Sequence, residues 1–100
     1  MKLKNKKRLL DELAKESENP KNFIYNVMAL QQQAANDVAE KAGITAAHFY
    51  VAMNQISKGQ SIGIKMCVKI SNGLDIEPSI LCRIVADYNL KCYLESQRKI

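Results

Sequence analysis

Glycine and proline are scarce in this chain, four and two in 100 residues, and the apolar residues recur at helical rather than alternating spacing, so an almost wholly helical fold is expected. No apolar run approaches the roughly 20 residues that a bilayer span needs. Lys2, Lys4, Lys6 and Lys7 open the chain, but no apolar stretch of about 7–15 residues follows, so no secretory signal is expected. The three cysteines, Cys67, Cys82 and Cys92, are odd in number and form no Cys-x-x-Cys pair. Buried thiols in a reduced cytoplasm account for them most simply. With His48 as the single histidine, there is no Ser/His/Asp grouping. A glycine-rich phosphate loop and paired carboxylates in an apolar setting are also missing. Neither catalysis nor a cofactor is therefore expected. A structural zinc needs about four ligands. Only convergence of His48 with all three cysteines could supply them, and Cys67 and Cys82 fall on apolar helical faces, so no metal is expected.

Against those absences, 47% hydrophobic and 25% charged residues are the proportions of an ordinary globular domain. A single core is expected, since a chain of this length buries about 65% of its unfolded surface. The net charge of +5 is unevenly spread. Lys2, Lys4, Lys6, Lys7 and Arg8 make a basic start, and residues 9–40 are acidic overall. From residue 41 to residue 74 there are Lys41, Lys58, Lys65 and Lys69 and no acid at all. The remainder is balanced. A basic centre beside a basic arm suits a polyanionic partner, and the arm suits equally a solvated surface helix.

Along the chain, a first helix is expected from about Lys4 to Glu18, with Leu9, Leu10, Leu13 and Ala14 on one stripe. Asn19-Pro20 ends it and starts the next, because Asn caps well and Pro suits the first helical position. Phe23, Val27, Leu30 and Ala34 then make a buried face, flanked by Ile24 and Met28. A break is expected near Gln31–Gln33, as a turn or helix surface. A short helix follows over Asp37–Ala42, with Val38, Ala39 and Ala42 inward. Gly43 stands where a left-handed C-terminal residue is wanted. Thr45 can cap a helix over about Ala46–Gln55 that buries Phe49 plus Ala52 or Met53, and the polar loop Ser57–Gln60 ends it. Ser61 is expected to cap another helix with Ile64, Cys67 and Val68 apolar, closed by Asn72-Gly73. Asp75-Ile76-Glu77-Pro78 reads as the start of the last, with Pro78 near its first turn and Ile80, Leu81, Ile84, Val85 and Tyr88 as its inner face. Leu90, Cys92 and Leu94 alternate over too few residues to separate helix from strand beyond Asn89.

The most informative stretch is Val38-Ala39-Glu40-Lys41-Ala42-Gly43-Ile44-Thr45, followed by Phe49. Ala39 allows close approach of a second helix, Gly43 makes the turn, and Ile44 and Phe49 lock the corner. That is the physical recipe of a helix-turn-helix. Here, and in Gly73-Leu74-Asp75-Ile76-Glu77-Pro78-Ser79-Ile80-Leu81, the sequence resembles the lambda-repressor-like (Cro/CI) helix-turn-helix family, most of all its small prophage Cro- or YdaS-type regulators. The resemblance covers about residues 20–85. It implies an all-α, five-helix lambda-repressor-like domain over 20–88; a basic arm and extra helix (1–19), unusual in the smallest family members, are expected before it and a C-terminal tail (89–100) after it.

It further implies that Thr45–Gln55 is the recognition helix, presenting Ala46, Ala47, Tyr50, Val51 and Asn54 to the major groove, with Thr45, Lys58, Ser61 and Lys65 at phosphates. Family members often carry Gln, Ser, Asn or Arg at the base-facing positions, whereas Ala46, Ala47 and Val51 stand here. These can touch a thymine methyl but cannot hydrogen-bond a base. Direct readout would then fall to His48, Tyr50 and Asn54. His48 also suits a plain surface role, and Tyr50 a protein interface. Two functions are in view. One is a cytoplasmic transcriptional regulator binding double-stranded DNA as a homodimer, by operator occlusion, with Leu90, Tyr93 and Leu94 or the first helix as the dimer contact. The other is a protein-interaction module, such as an anti-repressor, an antitoxin-like partner or a mobile-element assembly subunit, that kept the fold and lost base readout.

Overall fold

The computed structural model describes residues 19–98 together with Arg8, Leu9 and Glu12. Among the described residues there are five α-helices and no strand: α1 (Pro20–Leu30), α2 (Ala35–Ala42), α3 (Ala46–Ser57), α4 (Ile64–Leu74) and α5 (Pro78–Arg98). The all-helical class expected from the spacing is what the structure has. The expected first helix and its stripe lie outside the described residues except for Arg8, Leu9 and Glu12, which are helical. Arg8 Nε approaches Glu12 Oε1 to 3.6 Å one turn away.

Asn19 caps α1 as anticipated, its Oδ1 accepting the Lys21 N–H at 2.9 Å, with Pro20 in the first turn. The helix ends share one device. Gln32, Gly43, Gly59 and Asp75 have positive φ, at 56°, 75°, 76° and 60°. After each, the next N–H bonds the carbonyl five residues back: Gln33 to Met28 at 2.8 Å, Ile44 to Ala39 at 3.0 Å, Gln60 to Gln55 at 2.9 Å and Ile76 to Ser71 at 3.0 Å. These are Schellman closures, which satisfy carbonyls left over at a helix terminus. Only two use glycine, so the breaks at Gln32 and Asp75 carry no glycine signal.

Several expectations are corrected. In α1 the buried stripe is Phe23, Ile24, Val27 and Met28, whereas Leu30 is 43% exposed and Ala34 is exposed. α1 ends at Leu30, and the turn at Gln31–Gln33 breaks the helical period before Ala34. The glutamines do more than turn: Gln31 Nε2 donates to the Leu74 carbonyl at 2.6 Å, and Gln33 Nε2 to that of Gly73 at 3.1 Å. They thereby cap the end of α4.

That helix starts at Ile64 behind Gly63, whose φ of 82° and ψ of 155° break the helical path, so Ser61 is not its cap. Ser61 Oγ instead accepts the Gly63 N–H at 3.3 Å within the loop. Ile64, expected on the apolar face, is 80% exposed, because no described element packs over the first turn. Asn72-Gly73 does not close α4; the turn comes at Asp75. Residues 89–98 are not a separate tail but the second half of α5, 21 residues in all and about 31 Å long.

The core joins all five helices through Phe23, Ile24 and Val27 of α1, Val38 and Ala39 of α2, Phe49, Ala52, Met53 and Ile56 of α3, Cys67, Ile70 and Leu74 of α4, and Leu81 and Val85 of α5. Ala52 and Met53, offered as alternatives, are both buried. α2 packs most extensively on α4. Gly73 sits at that crossing: an added Cβ would strike the Val38 carbonyl oxygen and lie 3.0 Å from Val38 Cγ1 and 3.2 Å from Ala42 Cβ. Ser71, the buried polar residue beside it, is satisfied by donating to the Cys67 carbonyl at 2.7 Å.

Gly73→Ala is expected to cost about 1–3 kcal/mol, the range for overpacking a close contact, read as a lower urea midpoint. Gly43→Ala meets open space but carries the positive φ, and should cost about 1–2 kcal/mol through backbone strain alone. An unchanged midpoint for Gly73→Ala contradicts the tight crossing.

Candidate nucleic-acid interface

The second element of the corner, α3, is positioned at both ends and along one side. At its start, the left-handed Gly43 reverses the chain out of α2, and Ile44 packs half-buried against the core. Thr45 then caps the helix, its Oγ1 accepting the His48 N–H at 3.0 Å. At its end, Asn19 Nδ2 donates to the Ser57 carbonyl at 3.2 Å and to the Tyr88 hydroxyl at 3.2 Å. Tyr88 in turn donates to the Ser57 carbonyl at 3.4 Å. One small network thus ties the end of α3 to the beginning of α1 and the middle of α5. Sequence reasoning placed Asn19 as a cap and Tyr88 on an inner face, but had no signal for their shared carbonyl 31 and 38 residues away.

Between those ends, Phe49, Ala52, Met53 and Ile56 are buried, so the opposite side must face solvent. Ala47, Tyr50, Val51, Asn54 and Lys58 follow at i, i+3, i+4, i+7 and i+11, one face of a helix with 3.6 residues per turn. All five are exposed, Tyr50 at 55% and Val51 at 54%. Ala46 is half-buried, and His48 lies exposed on the flank. The Tyr50 ring stands edge-on to Phe49, with centroids 5.9 Å apart at 70°, which steadies an otherwise open side chain. Tyr25 of α1 is close enough for Tyr50 to matter electrostatically. Burial, and secondarily Tyr50, raises the Tyr25 hydroxyl above its ordinary value. The Lys21 ammonium sits 6.0 Å from the Tyr25 ring centroid.

All ten residues proposed from the sequence lie at or near the surface, and none is buried. Ala47, Tyr50, Val51, Asn54 and Lys58 share the α3 face, whereas Ser61 lies in the following loop and Lys65 in the first turn of α4. α3 itself contains no Asp, Glu, Lys or Arg. Lys41, Lys58, Lys65 and Lys69, before and after it in the chain, are exposed. The acids of α2 are engaged or outside that run: Asp37 Oδ2 accepts the Ala34 N–H at 2.9 Å, and Glu40 precedes Lys41.

The thiols lie elsewhere. Cys67 is buried under α4, and burial, then the neighbouring Cys82, pushes its thiol up to about 12, which keeps it protonated at neutral pH. Cys92 packs where Gly59 lacks a side chain: a Cβ on Gly59 would lie 2.6 Å from Cys92 Sγ. Among the described residues no group of three or more His, Cys, Asp or Glu side chains is placed to hold a metal ion, and no helix is long and apolar enough to cross a membrane. Comparison with family models, with curated proteins and with solved structures finds no match to this chain.

Proposed function

We propose that this chain is a sequence-specific double-stranded-DNA-binding regulator of the phage or bacterial repressor type, working in the cytoplasm by operator occlusion. The observation that carries the proposal is the α2–Gly43–α3 corner with the outer side of α3 exposed. In this reading the corner is a lambda-repressor-like helix-turn-helix, and α3 is the helix that enters the major groove. Exposed Lys41, Lys58, Lys65 and Lys69 supply phosphate neutralisation, the dominant source of non-specific affinity. Thr45 accepts a backbone N–H within its own helix and keeps its hydroxyl proton for a phosphate oxygen. Binding alone excludes polymerase, so the function asks for no catalytic group.

The protein acts as a homodimer, because one short helix spans too few bases. The stripe Leu90, Tyr93 and Leu94 of α5, 57%, 61% and 49% exposed, is the pairing surface. Asp87 and Arg98 lie along the same flank of that stripe by helical geometry. An antiparallel pair of α5 helices therefore sets each Asp87 against the Arg98 of the other copy. A second reading, a protein-interaction module, draws on the same exposed Val51 and on Ile64 at 80%. It is favoured if a stoichiometric protein partner occupies α3 in place of DNA.

Fluorescence anisotropy with a random-sequence duplex checks the first proposal. Six or more phosphate contacts should weaken binding about 10³-fold between 50 and 200 mM salt, and Lys58→Glu with Lys65→Glu should abolish it. No affinity at low salt, or indifference to both changes, overturns it. Sedimentation equilibrium checks the pairing: Leu90→Lys with Leu94→Lys should turn a dimer into a monomer, and a wild-type protein already monomeric at the concentrations that bind DNA rules the dimer out.

A further inference from the structure

We infer that the outer face of α3 selects A·T base pairs, by apolar contact of Ala47 and Val51 with thymine methyl groups and by an amide contact of Asn54 with adenine. The inference rests on the reading of α3 as the helix that enters the major groove. Its starting point is what that helix does not present. Guanine is read chiefly by Arg or Lys bidentate to O6 and N7, and cytosine N4 by a carboxylate. Between Ala46 and Ser57 there is no residue of either kind. Lys58 continues the stripe only after the helix has ended, 11 residues from Ala47, which is about 16 Å along the axis and out toward the backbone. His48 and Gln55 lie about a quarter turn off the stripe, Gln55 half-buried.

What the face does present matches one base pair. Ala47, Val51 and Asn54 fall at i, i+4 and i+7 on one line, spanning about 10 Å, the axial length of about three base-pair steps at 3.4 Å each. Asn is the side chain whose amide matches adenine N6 and N7, and thymine carries the only methyl in the major groove. A valine that is 54% exposed on a helix otherwise well divided between core and surface gains nothing in water. Against a methyl-lined groove it loses that exposure. The exposed lysines, Lys58 beyond the end of the helix and the others outside the stripe, hold the duplex without choosing its sequence.

Removing the thymine methyl tests this without disturbing base pairing. The probes are duplexes of alternating A·T pairs, the same duplexes with deoxyuridine in place of thymidine, and alternating G·C duplexes, at the highest salt where binding is measurable. Each contacted methyl should contribute about fourfold in affinity, the equivalent of about 0.8 kcal/mol per buried CH₂. The uracil duplex should therefore bind at least about fourfold more weakly than the thymine duplex, and the G·C duplex more weakly still. Val51→Ala should shrink the thymine-to-uracil ratio, whereas Asn54→Ala should weaken binding to both A·T duplexes and leave that ratio unchanged. Equal affinity for thymine and uracil duplexes overturns methyl readout while leaving DNA binding intact. Absence of salt-dependent binding to every duplex overturns the underlying reading and the inference with it.

Discussion

The orientation of α3 depends on the bend at Gly43, a left-handed residue that ends α2 and reverses the chain within two positions. Such a conformation costs an L-residue about 1–2 kcal/mol and costs glycine nothing. With the bend in place, Thr45 caps the new helix, Ile44 and Phe49 pack into the corner, and α3 crosses α1 and α2 with one side buried. The crossing of α2 over α4 at Gly73 holds the other side of the corner. Gly43 supplies the left-handed bend and Gly73 the close approach of α2 to α4, and together they set a twelve-residue helix against a small core.

The surface chemistry divides in two. α3 itself is uncharged and its outer face largely apolar, while the exposed cations lie outside the helix in α2, just past the end of α3 and in α4. Charge around the rim suits attraction to any polyanion; shape and apolar contact at the centre suit discrimination between base pairs. The same division suits a protein interface whose core is apolar and whose rim is polar. That is why the partner, rather than the fold, separates the two proposed functions.

Much of the fold was legible because it rests on local chemistry. Asn19-Pro20, Gly43 and Thr45 announce helix boundaries through capping and backbone freedom, and the 3.6-residue spacing places Val38, Phe49, Leu81 and Val85 inward. The misplaced elements depend on distant partners. Gln31 and Gln33 cap the end of a helix 43 and 40 residues on, and Gly73 resembles a helix terminator until α2 is seen to cross it. Ile64 matches an inward period, yet none of the described elements covers its turn. The α5 continuation past Asn89 was obscured by an alternation of Leu90, Cys92 and Leu94 that is incidental. In it, Cys92 fills the space beside Gly59, while Leu90 and Leu94 point away. For the candidate site, periodicity showed which side of α3 faces outward, but not the shared Ser57 carbonyl that secures its far end.

The exposed faces of α3 and α5 make competing claims on a partner, and amide and methyl shifts can tell them apart. Titration of an isotopically labelled sample with a short A·T duplex, followed by heteronuclear NMR, tests the central claim most directly. The account predicts the largest perturbations at Ala47, Tyr50, Val51, Asn54, Lys58 and Lys65, with Leu90, Tyr93 and Leu94 little moved. Perturbations centred on α5, or none along α3, would contradict it.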